Sequence, residues 1–224
     1  NSAPEAGGAV SWQPEMVTHD QSDFTSLVEG CTFLNNTARL DTDINEGGGA
    51  IFLNGGQGMV VRDSDLSFNQ GKSGGAIFWV GNGSTLQLIG SRVEGNRAAS
   101  KGGGAVAYGT GRVELMNTRM AWNHVESGDE AGRNDGGGGL YIDDYLQLTL
   151  AQGSAVMYNS VAGQGGGVHL EGFIGMSMCE GSRVAFNTAQ SHGGGIYGGD
   201  NVSIAVINAS IQGNFAGASL PPLP

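Results

Sequence analysis

The sequence is poor in charge, in basic residues and in long apolar runs, and each shortage excludes a class of protein. Only 14% of its 224 residues are charged while 39% are hydrophobic, which favours a packed chain over a disordered one. No apolar run approaches the ~20 residues that a membrane-spanning helix requires. Lysine and arginine number 10 against 21 acidic residues, and the net charge of −11 argues against nucleic acid or an anionic membrane as a partner.

Glycine, by contrast, is abundant and periodic. The chain contains 42 glycines, and many of them cluster ahead of short apolar segments, as in "GGGAIFLNGG", "SGGAIFWVGNG" and "KGGGAVAYGTG". About eighteen residues after most of these clusters comes an asparagine signature such as "FLNN" or "VAFN". The asparagines recur about every 27 residues, with two longer spacings. They are Asn36, Asn69, Asn96, Asn123, Asn159, Asn187 and Asn214.

This repeat predicts the fold. Each period holds three short alternating segments and no 3.6-residue pattern, which is typical of one turn of a parallel β-helix. We therefore predict an all-β protein, a single-stranded right-handed parallel β-helix (a solenoid) of about seven coils. It should span residues 1–217, with loop insertions at 37–47 and 124–136. The Pro-rich tail, 218–224, should begin a linker to the rest of a larger parent chain, because proline favours extended structure.

Equivalent positions of the repeats predict what lies inside the coils. The seven asparagines should form a structural ladder at a turn, since asparagine tolerates the left-handed conformation and its amide can bond neighbouring coils. A column of small residues that includes Cys31 should be buried. The residues just before the ladder asparagines are expected to form a partly aromatic interior column. They are Asn35, Phe68, Gly95, Trp122, Tyr158, Phe186 and Gly213.

Alternation along the first strand of each coil predicts an outward column. If Ile51 and Leu53 point inward, then Phe52 between them points outward. An exposed aromatic column could stack against sugar rings or pack against another protein. Alternatively, these similar residues stack on each other and only stabilise the sheet, or flanking loops of the parent protein cover them. The predicted column is Ser11, Phe52, Phe78, Ala107, Tyr141, His169 and Tyr197.

The paired phrases "GGAI", at 48–51 and 74–77, and "FxxN", at Phe33–Asn36, resemble the repeats of the polymorphic outer-membrane proteins of chlamydiae. In the other coils Leu, Val, Met or Ile replaces the phenylalanine. The resemblance extends from Gly7 to about Asn214. It implies an extracellular, passenger-like β-helix domain at a cell surface, with a structural and adhesive role. Its partners would be a protein or glycan at a cell surface, with no nucleic acid and no membrane insertion by this segment.

Two other functions stay open. Parallel β-helices include carbohydrate-active enzymes, and glycoside hydrolysis requires a pair of carboxylates. Asp143 and Asp144 are adjacent and more typical of a turn, and no convincing catalytic constellation accompanies them, so we expect neither an enzyme nor a cofactor. A carbohydrate-binding module would need no such pair. A self-assembling fibre or appendage subunit would instead use the unpaired strand edges of the end coils.

Short motifs indicate further candidate sites. Asp41, Asp43 and Asn45 have the spacing of the first ligands of a calcium loop, although the sixth and twelfth positions depart from that motif. Cys31 and Cys179 lie about five coils apart, too far for a disulfide within one rod. N-glycosylation sequons of an extracellular protein begin at Asn35, Asn82, Asn201 and Asn208.

Overall fold

The computed structural model describes residues 2–3, 7–12, 25–38, 47–126 and 136–217. Within these ranges the regular elements are all β-strands, numbered β1 to β27 in chain order. The strands pair in parallel and form three sheets, which we call A, B and C. The predicted all-β parallel β-helix is therefore confirmed.

Sheets C and A each take one short strand from a coil. Sheet C has seven strands, in the order β4 (Thr32–Leu34), β8 (Asp65–Ser67), β11 (Arg92–Glu94), β14 (Arg119–Ala121), β18 (Ala155–Met157), β22 (Arg183–Ala185) and β26 (Ser210–Gln212). Sheet A has eight, in the order β1 (Ser2–Ala3), β5 (Thr37–Ala38), β9 (Gln70–Ser73), β12 (Arg97–Lys101), β15 (His124–Val125), β19 (Ser160–Val161), β23 (Thr188–Ala189) and β27 (Phe215–Ala216).

Sheet B is the largest sheet, with twelve strands in two rows. The glycine-led row is β2 (Val10–Trp12), β6 (Ile51–Gly56), β10 (Ile77–Ile89), β13 (Ala105–Met116), β16 (Leu140–Ile142), β20 (Val168–Leu170) and β24 (Ile196–Gly198). The second row is β3 (Thr25–Glu29), β7 (Gly58–Arg62), β17 (Tyr145–Ala151), β21 (Gly175–Met178) and β25 (Ser203–Val206), and it also pairs with β10 and β13, which are long enough to span both rows.

Each coil passes from sheet B to sheet C, then to sheet A, and returns to sheet B of the next coil, as β10, β11, β12 and β13 do. The prediction of three strands per coil missed the strands of sheet A, because several of them, such as Thr188–Ala189, are only two residues long. Two residues are too few to show the alternation of inward and outward side chains that identifies a strand. The first and second predicted strands of a coil both belong to sheet B.

The interior of the solenoid is mainly aliphatic. Leu86 and Leu88 of β10 point inward and are fully buried, and the same alternation repeats at Val113 and Leu115 of β13. The largest buried side chain is that of Trp79, whose Nε1 donates to the carbonyl oxygen of Gln57 at 2.8 Å. Burial of these columns supplies the main hydrophobic stabilisation of the fold.

The register of the fourth glycine-led strand corrects one prediction. Ile77 pairs with Ala105 and Phe78 pairs with Val106, so Val106 belongs to the outward column in place of Ala107. Gly104, the third glycine of "KGGGAVAY", occupies the same position before its strand as Ala76 does in the preceding coil. Counting from the last glycine therefore shifted the predicted column by one residue, which reverses inside and outside.

The glycine clusters allow sheet A to lie directly against the start of sheet B. A Cβ atom added to Gly103 would be 2.6 Å from the backbone nitrogen of His124, which no real side chain tolerates. Gly75 meets the backbone of Arg97 in the same way, at 2.7 Å. Only glycine permits this close approach of two backbones.

The ladder asparagines lie at the buried corner between sheets C and A. Successive members are 33, 27, 27, 36, 28 and 27 residues apart and hydrogen-bond to each other in that order. The Oδ1 atom of Asn123 accepts from the backbone N–H and the side-chain amide of Asn96, at 3.0 and 2.9 Å. Its own amide donates to Oδ1 of Asn159 and to the carbonyl of Val93, both at 2.9 Å. One buried amide thus joins its coil to the coils on both sides.

A second ladder, made of hydroxyl groups, lies at the start of sheet C. The backbone N–H of Ser64 donates to the hydroxyl of Ser91 at 3.2 Å, and that of Thr118 donates to Ser154 at 3.2 Å. These residues belong to the small column that we expected to be buried, and the hydrogen-bonding role of their hydroxyls went unpredicted. Cys31, in the first coil of this column, is exposed, contrary to our expectation.

Removing one ladder amide should destabilise the solenoid. We expect Asn123→Ala to lower the free energy of unfolding by about 3 kcal/mol, because it leaves buried partners on Asn96 and Val93 unsatisfied. For a domain of this size the loss corresponds to roughly 6–12 °C in Tm. Differential scanning calorimetry measures it, with Asn82→Ala as the control, since Asn82 is exposed. Equal Tm values for the two variants would contradict a stabilising ladder.

Candidate binding surfaces

From Phe52 to His169 the outward column of the glycine-led strands is buried rather than exposed, whereas Ser11 at its start is exposed. Phe52, Phe78, Tyr141 and His169 are each at most 3% exposed, and Val106 is fully buried between them. Tyr197, in the last coil, is half-buried. Neighbouring rings pack along the column, with centroids 5.1 Å apart for Phe52 and Phe78 and 4.8 Å for Tyr141 and His169. The prediction that this column is exposed is therefore wrong.

The column is covered by the chain that leads into the glycine clusters and by a side chain of β13. The Lys101 ammonium lies 4.6 Å from the ring centroid of Tyr141, and Tyr108 packs against the same cluster. A Cβ atom on Gly136 would overlap the ring of His169, which shows how closely that backbone passes over it. The first strands therefore carry a small second core on their outer face. Strand alternation alone cannot reveal such a cover, since it reports only which side of the sheet a residue faces.

The exposed aromatic row is a different column, the one predicted to be interior. The exposed fractions of Phe68, Trp122 and Phe186 are 63%, 52% and 44%, and Tyr158 is half-buried. Each of these residues has a positive φ, between 54° and 59°. The left-handed turn directs these side chains outward, so the interior prediction is wrong. Asn35, Gly95 and Gly213 share the same position and conformation, and their residue types were the signal that could have identified it.

The rings of this row form a continuous stack over three coils. Trp122 and Tyr158 lie 4.4 Å apart with an interplanar angle of 8°, and Tyr158 and Phe186 lie 5.3 Å apart at 10°. Phe68 stands apart from this stack and packs over Gly95, whose added Cβ would be 2.7 Å from the Phe68 ring. A left-handed conformation costs an aromatic residue about 1–3 kcal/mol and persists only where the surroundings impose it. We call Phe68, Trp122, Tyr158 and Phe186 the exposed row.

A network of polar groups borders the buried column. Lys101 Nζ lies 3.4 Å from the Tyr141 hydroxyl, which donates to Asp143 Oδ2 at 3.1 Å. Burial, reinforced by Asp143, raises the pKa of Tyr141 well above its usual range, so the phenol remains a donor. Asp144 accepts from the backbone N–H of Gly109 at 2.9 Å. Asp143 therefore hydrogen-bonds within its own coil, and Asp144 hydrogen-bonds to the preceding coil.

The remaining predicted sites are a calcium loop, two cysteines and four sequons. Asp41, Asp43 and Asn45, the candidate calcium ligands, lie outside the described residues. Across the part of the chain that is described, His, Cys, Asp and Glu residues form no group of three that could hold a metal ion. Cys31 and Cys179 are both free thiols. The sequon asparagines are all exposed and stay predictions; they are Asn35, Asn82, Asn201 and Asn208.

Comparison with known proteins finds a match that runs from the end of the first coil into the glycine-led strand of the second. Residues 30–54 match the Chlamydia polymorphic membrane protein repeat. This match contains both phrases on which the predicted resemblance rests, "FLNN" and "GGAI". No curated protein and no solved structure matches the chain. The polymorphic membrane protein repeat and the three-sheet solenoid are together typical of a β-helix domain of a surface protein. No helix among the described residues is long and apolar enough to cross a membrane.

Because one aromatic column is buried and the exposed row is not, substitutions in the two should change stability by very different amounts. Phe78→Ala should lower the free energy of unfolding by about 3–5 kcal/mol, because it empties a fully buried site. Phe68→Asn should change it by no more than about 0.5 kcal/mol, since Phe68 is exposed and Asn35 occupies the equivalent position in a neighbouring coil. Urea unfolding followed by circular dichroism compares them. A larger loss for Phe68→Asn would contradict the assignment.

Stability should also depend on His169. Its imidazole is 2% exposed, lies 3.3 Å from Glu171 and stacks between Tyr141 and Tyr197. Burial lowers its pKa below the ordinary 6.5, although hydrogen bonding to Glu171 opposes the shift. As pH falls through 6.5, the unfolded chain therefore binds a proton that the folded chain does not, and stability decreases.

We expect Tm to fall as the pH is lowered from about 7.5 to about 5.5. The fall should be smaller for His169→Phe, which keeps the ring stack and removes the titrating group. Thermal unfolding at several pH values measures both slopes. His124, whose pKa burial also lowers, contributes in the same direction and accounts for part of the remaining slope. Identical slopes for the parent chain and His169→Phe would exclude His169 as a contributor.

Proposed function

We propose that this chain is a structural and adhesive β-helix domain of a larger cell-surface protein, displayed extracellularly. The exposed row is proposed as its contact surface for a protein or glycan on another surface. The polymorphic membrane protein repeat at residues 30–54 supports the surface location. The repeat gives no indication of catalysis, and we propose no enzymatic activity.

The observation that carries the adhesive part is the exposure of large coplanar rings at a turn. Three stacked side chains of Trp122, Tyr158 and Phe186 present an apolar strip to solvent. Such strips on soluble proteins mark interaction surfaces, and tryptophan and tyrosine are the residues that most often anchor binding interfaces. Because each ring is held in a left-handed turn next to a buried ladder asparagine, the strip is presented on a rigid support.

The experiment compares cell binding by a row variant and by a matched control. Trp122→Ala/Phe186→Ala removes the two ends of the stack, and Ile207→Ala removes an apolar side chain that is 63% exposed elsewhere on the rod. Fluorescently labelled chains are incubated with a panel of intact cell types and measured by flow cytometry. We expect the row variant to lose at least about tenfold in bound signal, and the Ile207 control to bind like the parent chain.

Light scattering and circular dichroism on the same samples establish size and fold. Equal binding by the row variant and the parent chain would overturn the exposed row as the contact surface. Absence of binding by a folded, monodisperse parent chain would overturn the adhesive role and leave the domain a spacer. Concentration-dependent growth of the parent chain without cell binding would instead favour the fibre subunit.

A further inference from the structure

A second exposed surface, on the outer face of sheet B, has the chemistry of a sugar-binding site. Here the second-row strands β17, β21 and β25 lie side by side. Their outward residues line an open groove of about 270 Å³. Those residues pair across the coils, Gln147 with Gly175 and then Ser203, and Thr149 with Ser177 and then Ala205.

The polar groups of this groove are available to a ligand. Among the described residues, the hydroxyls of Thr149, Ser177 and Ser203 have no hydrogen-bond partner, and neither has the amide of Gln147. The Gln147 amide lies across Gly175 in the floor of the groove, and it can lie there because a Cβ atom on Gly175 would overlap it. A few unengaged hydroxyl and amide groups that line one groove are the means by which a pocket orients a polar ligand.

A pair of stacked rings stands at one end of the groove. Tyr145 is the first residue of β17 and is 60% exposed, and Phe173, two residues before β21, is 53% exposed. Their centroids are 5.0 Å apart and their planes differ by 3°. In the next coil the position equivalent to Phe173 is held by Asn201, which has no ring. The face of Phe173 that is turned away from Tyr145 is therefore not covered by a third ring.

The charges around the groove favour a neutral ligand over an anionic one. All of the residues that line it are uncharged. Asp144, Glu171 and Asp200 lie at the aromatic end, and Arg112 and Glu114 border the groove on the preceding coil. Three carboxylates near the rings, on a chain of net charge −11, disfavour an anionic ligand. A neutral ligand that has an apolar face and many hydroxyls meets no such barrier.

We propose that this surface binds a neutral oligosaccharide. A sugar ring stacks through its C–H face on the uncovered face of Phe173, and its hydroxyls exchange hydrogen bonds with Gln147, Thr149, Ser177 and Ser203. The volume of the groove, slightly below the ~300 Å³ at which small-molecule pockets begin, fits one or two sugar rings of a longer chain. This site is separate from the exposed row and does not depend on the proposed adhesion.

The test uses the chain produced in a bacterial host that attaches no N-glycans, so that Asn201 carries no sugar of its own. Cellotetraose, xylotetraose and mannotetraose are the neutral probes, and tetragalacturonate is the anionic probe. Binding is measured by isothermal titration calorimetry and by saturation-transfer NMR. We expect at least one neutral probe to bind and tetragalacturonate to bind at least tenfold more weakly.

Three variants locate the site. Tyr145→Ala/Phe173→Ala should weaken the neutral probe at least tenfold, and Thr149→Val, which keeps the shape and strand preference of the residue, should weaken it about 2- to 12-fold by removing one hydrogen bond. Trp122→Ala/Phe186→Ala should bind the probe like the parent chain. Unchanged binding by the first two variants would overturn the site, and so would failure of every neutral probe to bind.

The two proposals fail in distinguishable ways. Loss of cell binding in Trp122→Ala/Phe186→Ala, together with intact saccharide binding, would support both. Loss of saccharide binding in that same variant, with the fold intact, would place the sugar on the exposed row and overturn the groove. Stronger binding of tetragalacturonate than of any neutral probe would overturn the assignment of ligand class.

Discussion

The buried corner between sheets C and A must satisfy its backbone hydrogen bonds without water, and the rest of the molecule is arranged around that requirement. Each of the five inner asparagines of the ladder bonds the coil before it and the coil after it, and an unmade bond there would cost about 1–3 kcal/mol. Because the asparagine side chain turns inward, the residue before it adopts a left-handed conformation and points outward. Trp122, immediately before Asn123, is exposed for the same reason that Asn123 is buried.

Much of the fold could be predicted from the sequence, since the repeat is encoded in residue types with narrow roles. Glycine ahead of a strand and asparagine at a corner recur at fixed spacing, and together they predict a parallel β-helix. The wrong predictions arose where a pattern indicates which face of the sheet a side chain is on but not what covers that face. Alternation placed Phe52 correctly on the outer face and could not indicate that Lys101 and Tyr108 cover that column. Val106 was misplaced because glycine can substitute for alanine before the strand.

The candidate surfaces were harder to predict than the fold. Continuing the alternation of the third strand by two residues predicts an interior position for the exposed row, although the glycines at the same position indicate a left-handed turn. The groove on sheet B was missed because its residues are ordinary strand residues in each coil taken singly. It exists only through stacking, which brings Gln147, Ser177 and Ser203 together from three coils. The columns of a solenoid can be read from a single sequence. Whether a column is exposed and able to bind a ligand depends on the columns that lie beside it.

The strands cross the solenoid, and the hydrogen bonds between them run along its axis. A pulling force on the chain ends is therefore borne by the contact between an end coil and its neighbour. Since each coil contacts only the next, detachment exposes a new end and leaves the remaining coils intact. One released coil of 27 residues extends to roughly 90 Å. Under shear, a surface protein built this way would lengthen in steps, dissipating load coil by coil before a distant contact is broken.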